Sequence, residues 1–416
     1  MQLKTILNRV QHFKSFVYGK IQLVEEKGKM TLEVEVLARK NGRPICSGCG
    51  RHAPGYDRLQ ERRFEFVPLW GIAVCFVYTM RRVACPHCGV VVEQVPWARG
   101  KNHSTIAYRW FLARWAKRLS WDEVATIFHT TWRNVFESVK HAVWWGVAHQ
   151  NLEDIEAIGV DEIQWKRGHC YLTLVYQIEE GLRRLLWVAE NRTEDSLRRF
   201  FQSLGESRRS IRFVCSDMWK QYVKVIAEQL PEAVHVLDRF HIMKKMNEAI
   251  DEVRRSEAAR LKRDGYKEVL KHSRWCLLKR PENRTEKETV KLKELLQYNL
   301  QAVRSLLQKE DFQRFWEYTS PTWAVKFLDP WCVRTMRSKI EPMKKVAGML
   351  RRHRTLILNW FRAKGQVSAG SVEGLNNKAK LTLRKAYGFR TYQAIEIALF
   401  HTLGNLPEPN FTHEFC

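Results

Sequence analysis

The chain is predicted to be a multidomain α/β protein, and three features carry that prediction. Two cysteine pairs flank a β-rich stretch near the amino terminus. From Ser104 onward apolar residues recur at helical rather than alternating spacing. Between residues 157 and 237, apolar runs rich in β-branched and aromatic residues stop at acidic side chains, as strands leading into a site would. At 416 residues, 45% of them hydrophobic, the chain can fill roughly two to four cores.

The charge balance says more about partners than about fold. With 71 Lys+Arg against 45 Asp+Glu the formal net charge is +26. An excess of that size favours a polyanion, nucleic acid first. Residues Met1–Arg9 are broken by charge too early for a signal peptide, and no apolar run approaches the roughly 20 residues that a membrane span needs. A cytoplasmic protein with no membrane partner is expected. Its ten cysteines are then expected reduced, available for metal or packing.

Residues 1–100 read as a β-rich zinc ribbon. Cys46-Ser-Gly-Cys49-Gly50 and Cys85-Pro-His-Cys88-Gly89 each set two thiolates one tight turn apart, and two such turns make a tetrahedral site for structural Zn2+. Phe64–Trp70 and Val74–Tyr78 read as strands joining the knuckles by an extended hairpin, with Cys75 in the core. His52 and His87 stand beside the knuckles, but four cysteines already complete the set. Residues 101–150 read as helices: Thr105–Arg118, then a helix opened by the capping box Ser120-Trp-Asp-Glu123, then one capped by Thr131 and running toward His149. The last two form a helix-turn-helix candidate with Arg133, Asn134 and Lys140 facing a groove.

Residues 151–245 read as an α/β core. The run Ala157-Ile-Gly-Val-Asp161 is predicted to be a strand ending at its carboxylate, followed by a hairpin of Cys170–Gln177 and Leu185–Ala189. Ile211–Ser216 runs into Asp217, and Ala233–Leu237 runs into Asp238 with His241 close behind. If these strands are parallel, Asp161 and Asp217 emerge at one edge, where open α/β sheets hold their sites. Two carboxylates held together repel, and a divalent cation relieves the repulsion. Glu194 and Asp195 are explained as favourable charges in the first turn of a helix capped by Thr193. Residues 246–365 read as a basic helical segment studded with tryptophans. In residues 366–416, helical spacing sets Glu373, Asn377, Lys380 and Arg384 on one face and Leu375, Ala379, Leu383 and Ala386 on another. A carboxylate, an amide and two cations in line suit a metal ligand followed by groups that hold phosphates.

Taken together, the cysteine pairs, the helices after them, Ile158-Gly-Val-Asp161-Glu, Ser216-Asp217-Met with Tyr222, Val236-Leu-Asp-Arg-Phe-His241, and Ser371-Val-Glu373-Gly-Leu-Asn-Asn377 with Lys380 and Tyr387-Gly-Phe389 resemble the ISL3 family of bacterial insertion-sequence transposases, which are DDE enzymes of RNase H-like fold. The resemblance spans nearly the whole chain in order. It implies a catalytic triad of Asp161, Asp217 and Glu373, with 246–365 a helical insertion between 151–245 and 366–416. It also implies double-stranded DNA as partner, both element ends and target, and a homo-oligomer at synapsis. Cleaving a phosphodiester and joining a 3′-hydroxyl are both in-line displacements at phosphorus, a task for two Mg2+ (or Mn2+) ions. Asp161 would bridge the two ions, Asp217 and Glu373 would each help hold one, and Lys380 and Arg384 would steady the phosphate. Asp238 and His241 are candidates for a supporting role. Two other functions stay in play: a nuclease of the same fold without strand transfer, and a DNA-binding regulator without catalysis.

Overall fold

The computed structural model describes residues 2–26, 28–363, 369–385 and 389–410; Ala386, Tyr387 and Gly388 of the motifs above lie outside the described residues. The chain divides into two units, Met1–Gln150 with Thr382–Cys416, and Asn151–Leu381.

In the first unit a helix, α1 (Leu3–Val10), precedes the strands β1 (Phe16–Glu26), β2 (Lys29–Ala38), β3 (Gly55–Leu69), β4 (Ile72–Cys85) and β5 (Gly89–Val92). They form one sheet in the order β1-β2-β4-β3, with β5 on β4. The alternation in Thr31-Leu-Glu-Val-Glu-Val-Leu37 buries Val34 and Val36 and turns the glutamates outward. The expected hairpin is present as β3 and β4, turned at Trp70 and Gly71, both at positive φ. It belongs to a larger sheet than a ribbon, because β1 and β2 extend it on the other side of β4. Phe13, Phe16, Phe64 and Tyr78 surround the buried Trp97 with ring centroids 4.9–6.0 Å away. Then come α2 (Ile106–Ala116), α3 (Trp121–Ile127) and α4 (Trp132–His149). Ser120 and Thr131 cap the last two as the sequence predicts, with Ser120 and Glu123 closing a reciprocal capping box, and Thr105, expected inside the first helix, caps it instead.

The second unit holds β6 (Ala157–Lys166), β7 (Cys170–Glu179), β8 (Leu182–Glu190), α5 (Glu194–Leu204), β9 (Phe213–Ser216), α6 (Lys220–Gln229) and β10 (Val234–Leu237). The sheet order is β10-β9-β6-β7-β8: β6, β9 and β10 are mutually parallel, and β6, β7 and β8 run as an antiparallel meander. One face is covered by α5 and α6, where Phe200, Phe201, Tyr222 and Val225 pack on Ile158, Val160 and Val175. Helices α7 (Arg239–Arg263), α8 (Arg274–Leu278), α9 (Glu286–Leu295), α10 (Gln301–Gln313), α11 (Pro321–Met336), α12 (Glu341–Arg352) and α13 (Arg354–Arg362) build a separate hydrophobic core around Trp331, Phe312 and Phe315. The helix α14 (Ala369–Lys385) then returns to the sheet.

That return depends on Gly159, which alternates with Ile158 and Val160 and so faces the opposite side of β6. A Cβ at Gly159 would stand 2.4 Å from Val372 Cγ2 on α14, closer than real side chains approach. Gly159→Ala is expected to destabilise the unit by about 1–3 kcal/mol through overpacking. Urea unfolding checks this, and Val372→Ala in the same chain should recover most of the loss.

The first unit is completed by α15 (Tyr392–Leu403), which packs on α4. Gly146 of α4 admits Leu406, which a Cβ there would meet at 2.6 Å, and Glu408 pairs with Arg114 and Lys117 at 2.9 and 2.8 Å. No helix among the described residues is long and apolar enough to cross a membrane.

Candidate active site and metal centre

The register of the three parallel strands places the acidic residues. Val160 pairs with Ser216, and Ser216 pairs with Leu237, so Asp161, Asp217 and Asp238 each occupy the next position on neighbouring strands. Strands lie about 4.8 Å apart, so the three carboxylates form a row across one sheet edge. The sequence ends the first strand at Asp161, but β6 continues to Lys166. Its pairing with β9 stops at Val160, while its pairing with β7 runs on through Asp161 opposite Leu174. Asp161 is therefore at the edge of the parallel half and in the middle of the antiparallel half.

Burial shapes the electrostatics of this row. Asp161 is 8% exposed, and burial pushes its carboxyl up to about 6. The charge of His241 and the Glu162 N–H counter that rise, while Asp217 and Asp238 add to it. Glu162 is driven up to about 7, first by burial and then by Asp217, with Arg192 opposing. Arg192 lies 2.6 Å from Glu162 and 3.6 Å from Asp217, its guanidinium 4.2 Å over the Trp219 ring. Asp217 Oδ1 accepts the Trp219 N–H at 3.0 Å. Asp238 Oδ1 caps α7 through the Phe240 N–H at 2.8 Å, and its other oxygen lies 3.3 Å from His241 Nδ1. Burial alone would lower the His241 pKa, but Asp238, Asp161 and Asp217 together raise it. The two supporting candidates, Asp238 and His241, thus stand with Asp161 and Asp217.

Glu373 arrives on α14 between two residues that touch β6. Val372 seats against Gly159, and the buried Asn376 donates from Nδ2 to Asp161 Oδ2 at 2.5 Å. Asn376 Oδ1 in turn accepts the hydroxyl of buried Tyr176 at 2.8 Å. Asn376 is a residue the sequence reading passed over in favour of Asn377. Its signal was available: a polar side chain on the face of a helix shared with Leu375 and Ala379 must have a partner inside. Glu373, Asn377, Lys380 and Arg384 are exposed along the opposite face. Asn376→Ala would leave the Asp161 oxygen and the Tyr176 hydroxyl without partners, so a loss of about 1–3 kcal/mol in thermal unfolding is expected.

The cysteines do come together. The Sγ atoms of Cys46, Cys49, Cys85 and Cys88 all lie within 4.8 Å of one another, and among the described residues they are the one such set; Asp161, Asp217 and Glu373 stand farther apart. Tetrahedral Zn–S bonds of about 2.3 Å would separate sulfurs by about 3.8 Å. Backbone N–H groups of His87 and Cys88 donate to Cys85 and pull its thiol down to about 6. Cys88 is pushed up to about 12 by the sulfurs of Cys46 and Cys49 beside it. The charge that four thiolates cannot carry alone is what a bound Zn2+ offsets, so the residues fit the ion.

Of the residues expected at a groove, Arg133 is exposed at the start of α4. Asn134 is instead committed internally: its amide donates to Glu65 and Thr130 and accepts from Ser104. Lys140 lies 3.6 Å from Glu137 and 4.5 Å over the Trp144 ring.

The ISL3 family model, described as a transposase, matches residues 158–399, a span that takes in the whole carboxylate row and α14. The chain belongs to the ISL3 family of transposases. Relatives of this ISL3 transposase include the transposase for insertion sequence element IS1557 of Mycobacterium tuberculosis, 30% identical over 390 residues, covering 87% of this chain and 86% of that one. The transposase for insertion sequence element IS1001 of Bordetella parapertussis is 29% identical over 351 residues, covering 83% and 85%. Among solved structures, the Drosophila P element transposase strand transfer complex is similar at a TM-score of 0.44 and 9% identity, covering 73% of this chain and 92% of that one.

Proposed function

We propose that this ISL3 transposase binds double-stranded DNA at the terminal inverted repeats of its insertion sequence, cleaves the strands there and joins them to target DNA. The observation that carries this reading is the in-register row of Asp161, Asp217 and Asp238 at the carboxyl ends of parallel strands, with α14 fastened to the same strand beside Glu373. The sheet order, a three-stranded antiparallel meander continued by two parallel strands, supports an RNase H-like core in 151–245 and 366–416, interrupted by the helices of 246–365.

On this reading Asp161, Asp217 and Glu373 are the catalytic carboxylates and would hold Mg2+ or Mn2+. The fit rests on buried oxygen donors whose charge the protein leaves undercompensated, as the raised Asp161 and Glu162 carboxyls record. A pair of such ions, when bound, supplies an activated attacking oxygen and a stabilised leaving oxygen. The rest is the work of the chain. Asn376 fixes the rotamer of Asp161 by holding one of its oxygens. Arg192 braces Asp217 and Glu162 against each other. Asp238, tied to the first turn of α7, keeps His241 among the acids. Lys380 and Arg384, on the same helix face as Glu373 and Asn377, steady the DNA phosphates.

Recognition is assigned to the first unit, with residues 1–100 a zinc-stabilised platform and α3–α4 of 101–150 a helix-turn-helix reading DNA through Arg133 and Lys140. The net charge of +26 supports a DNA partner. Pairing of two ends calls for a homo-oligomer, and the protein is placed with DNA in the cytoplasm. The test is incubation of the protein with DNA carrying its element's ends. Mg2+-dependent nicks at the ends with joined products are expected. Cleavage without joining would instead make it a nuclease, and binding alone a regulator.

A further inference from the structure

The helical part of the second unit contains a cavity of about 520 Å3 between the first turns of α7, the segment through α8 to Glu282, and the end of α10. That volume suits a nucleotide-sized ligand. Six cations line it against three carboxylates. Two of the acids are already engaged, Asp251 by Arg254, Arg255 and Arg274 at 2.7–3.6 Å and Glu248 by Lys245 at 2.8 Å. Arg239, Lys244 and Arg280 have no carboxylate within ion-pairing distance among the described residues. Arg239 is held 5.3 Å over the Trp316 ring, and burial together with the nearby Arg280 charge lowers its pKa, with the Glu317 carboxylate opposing. Two guanidiniums kept in mutual repulsion form a site that an anion would relax.

The floor adds a fourth cation. Lys309 is 3% exposed, its Nζ donating to the carbonyls of Leu277 and Leu278 and to Asn247, so its charge is locked beneath the cavity. At the lining stands Phe240, 48% exposed, a flat apolar ring that a base can cover. Cations for a phosphate beside an open aromatic face for a base match a nucleotide rather than a simple ion. Arg239 follows directly on Asp238, one strand end of the carboxylate row, so this lining adjoins that row in the chain.

We propose that this cavity is a single-strand subsite that takes a phosphate and its base from the DNA flanking the scissile bond, through Arg239, Arg280, Lys244 and Phe240. It rests on the DNA-cleaving reading for its place in the reaction, but not for its chemistry. The probe is a fluorescein-labelled single-stranded 12-nucleotide DNA, with binding to the full zinc-loaded chain followed by anisotropy across a salt series. Removing two phosphate contacts in Arg239→Ala/Arg280→Ala should weaken binding about ten-fold and reduce the log–log salt slope by about 1.4. Arg280→Ala alone, at an exposed side chain, should give about half that change in slope and guards against misfolding of the double variant. Phe240→Ala should weaken binding with the slope unchanged. Lys287→Ala/Lys293→Ala removes the same charge from exposed positions on α9 and should alter neither quantity. Equal losses in the α9 control, or no loss in the cavity variants, would overturn the subsite. Tighter binding of dTTP than of the oligonucleotide would overturn a DNA strand as its occupant. Because these readouts require no cleavage, loss of the cleavage reading in an Asp161→Asn assay would leave them standing, and the reverse.

Discussion

Asp161→Asn is expected to lower strand cleavage and joining by about 10³-fold or more, while affinity for duplex DNA stays within about two-fold. The loss follows from removing one of few anionic donors where a divalent ion contributes several kcal/mol to the transition state. Retained binding follows because affinity rests on the basic surface. The same substitution should leave the fold no weaker. In the folded chain the Asp161 carboxyl takes up its proton near pH 6, against 3.8 for an ordinary aspartate. The folded state therefore binds the extra proton between those values, and stability contributed by this group is lost as pH rises through 6. The penalty above pH 7 is on the order of 3 kcal/mol. Asparagine has no charge to bury, so at pH 8 without added divalent ion the variant should melt several degrees higher than the parent chain. Added Mg2+ should raise the melting temperature of the parent and leave that of the variant unmoved. A variant that melts lower at pH 8 would make Asp161 a structural residue.

Zinc removal is the second large effect. The hydrophobic cluster around the knuckles consists of Cys46, Ala53, Val83 and Cys85, with Val91 against it, too little to hold three chain segments together. Zinc binding at sites of this type contributes about 10–16 kcal/mol to folding. Cys85→Ser takes away one of the four thiolates the ion needs and should release residues 43–54 and 85–93. Mass spectrometry under native conditions is expected to find one zinc per parent chain and none in the variant. Hydrogen exchange should rise sharply in those segments while the strands around Trp97 keep their protection. Uniform protection in both chains would show that the knuckles stand without metal.

Much of this architecture was legible because it is locally encoded. Helix starts at Ser120, Thr131 and Thr193 announced themselves through side chains that satisfy orphan N–H groups. The strands ending at Ser216 and Leu237 could be read from apolar runs broken by aspartate. What escaped depends on partners distant in sequence. Asn376 is bonded to Asp161 across 215 positions, and only its place on a buried helix face could have marked it. The end of β6 was misjudged because a charge inside a strand looks like its terminus when its pairing on one side is unknown. Asn134 was assigned outward by residue type, whereas Glu65, Ser104 and Thr130 draw it inward. The β1–β2 hairpin carries clear alternation, but alternation alone does not say that its partner is β4, more than thirty residues away.

The seat of Leu406 against Gly146 has a consequence for how the protein is born. The groove on α4 stays open until α15 and the segment through Glu408 emerge from the ribosome, after the entire carboxylate-bearing unit has been synthesised. A nascent or truncated chain ending before residue 392 would display that bare groove. Completion of the first unit therefore waits for synthesis of the second, and a chain broken before residue 392 leaves the first unit with an apolar groove that nothing fills.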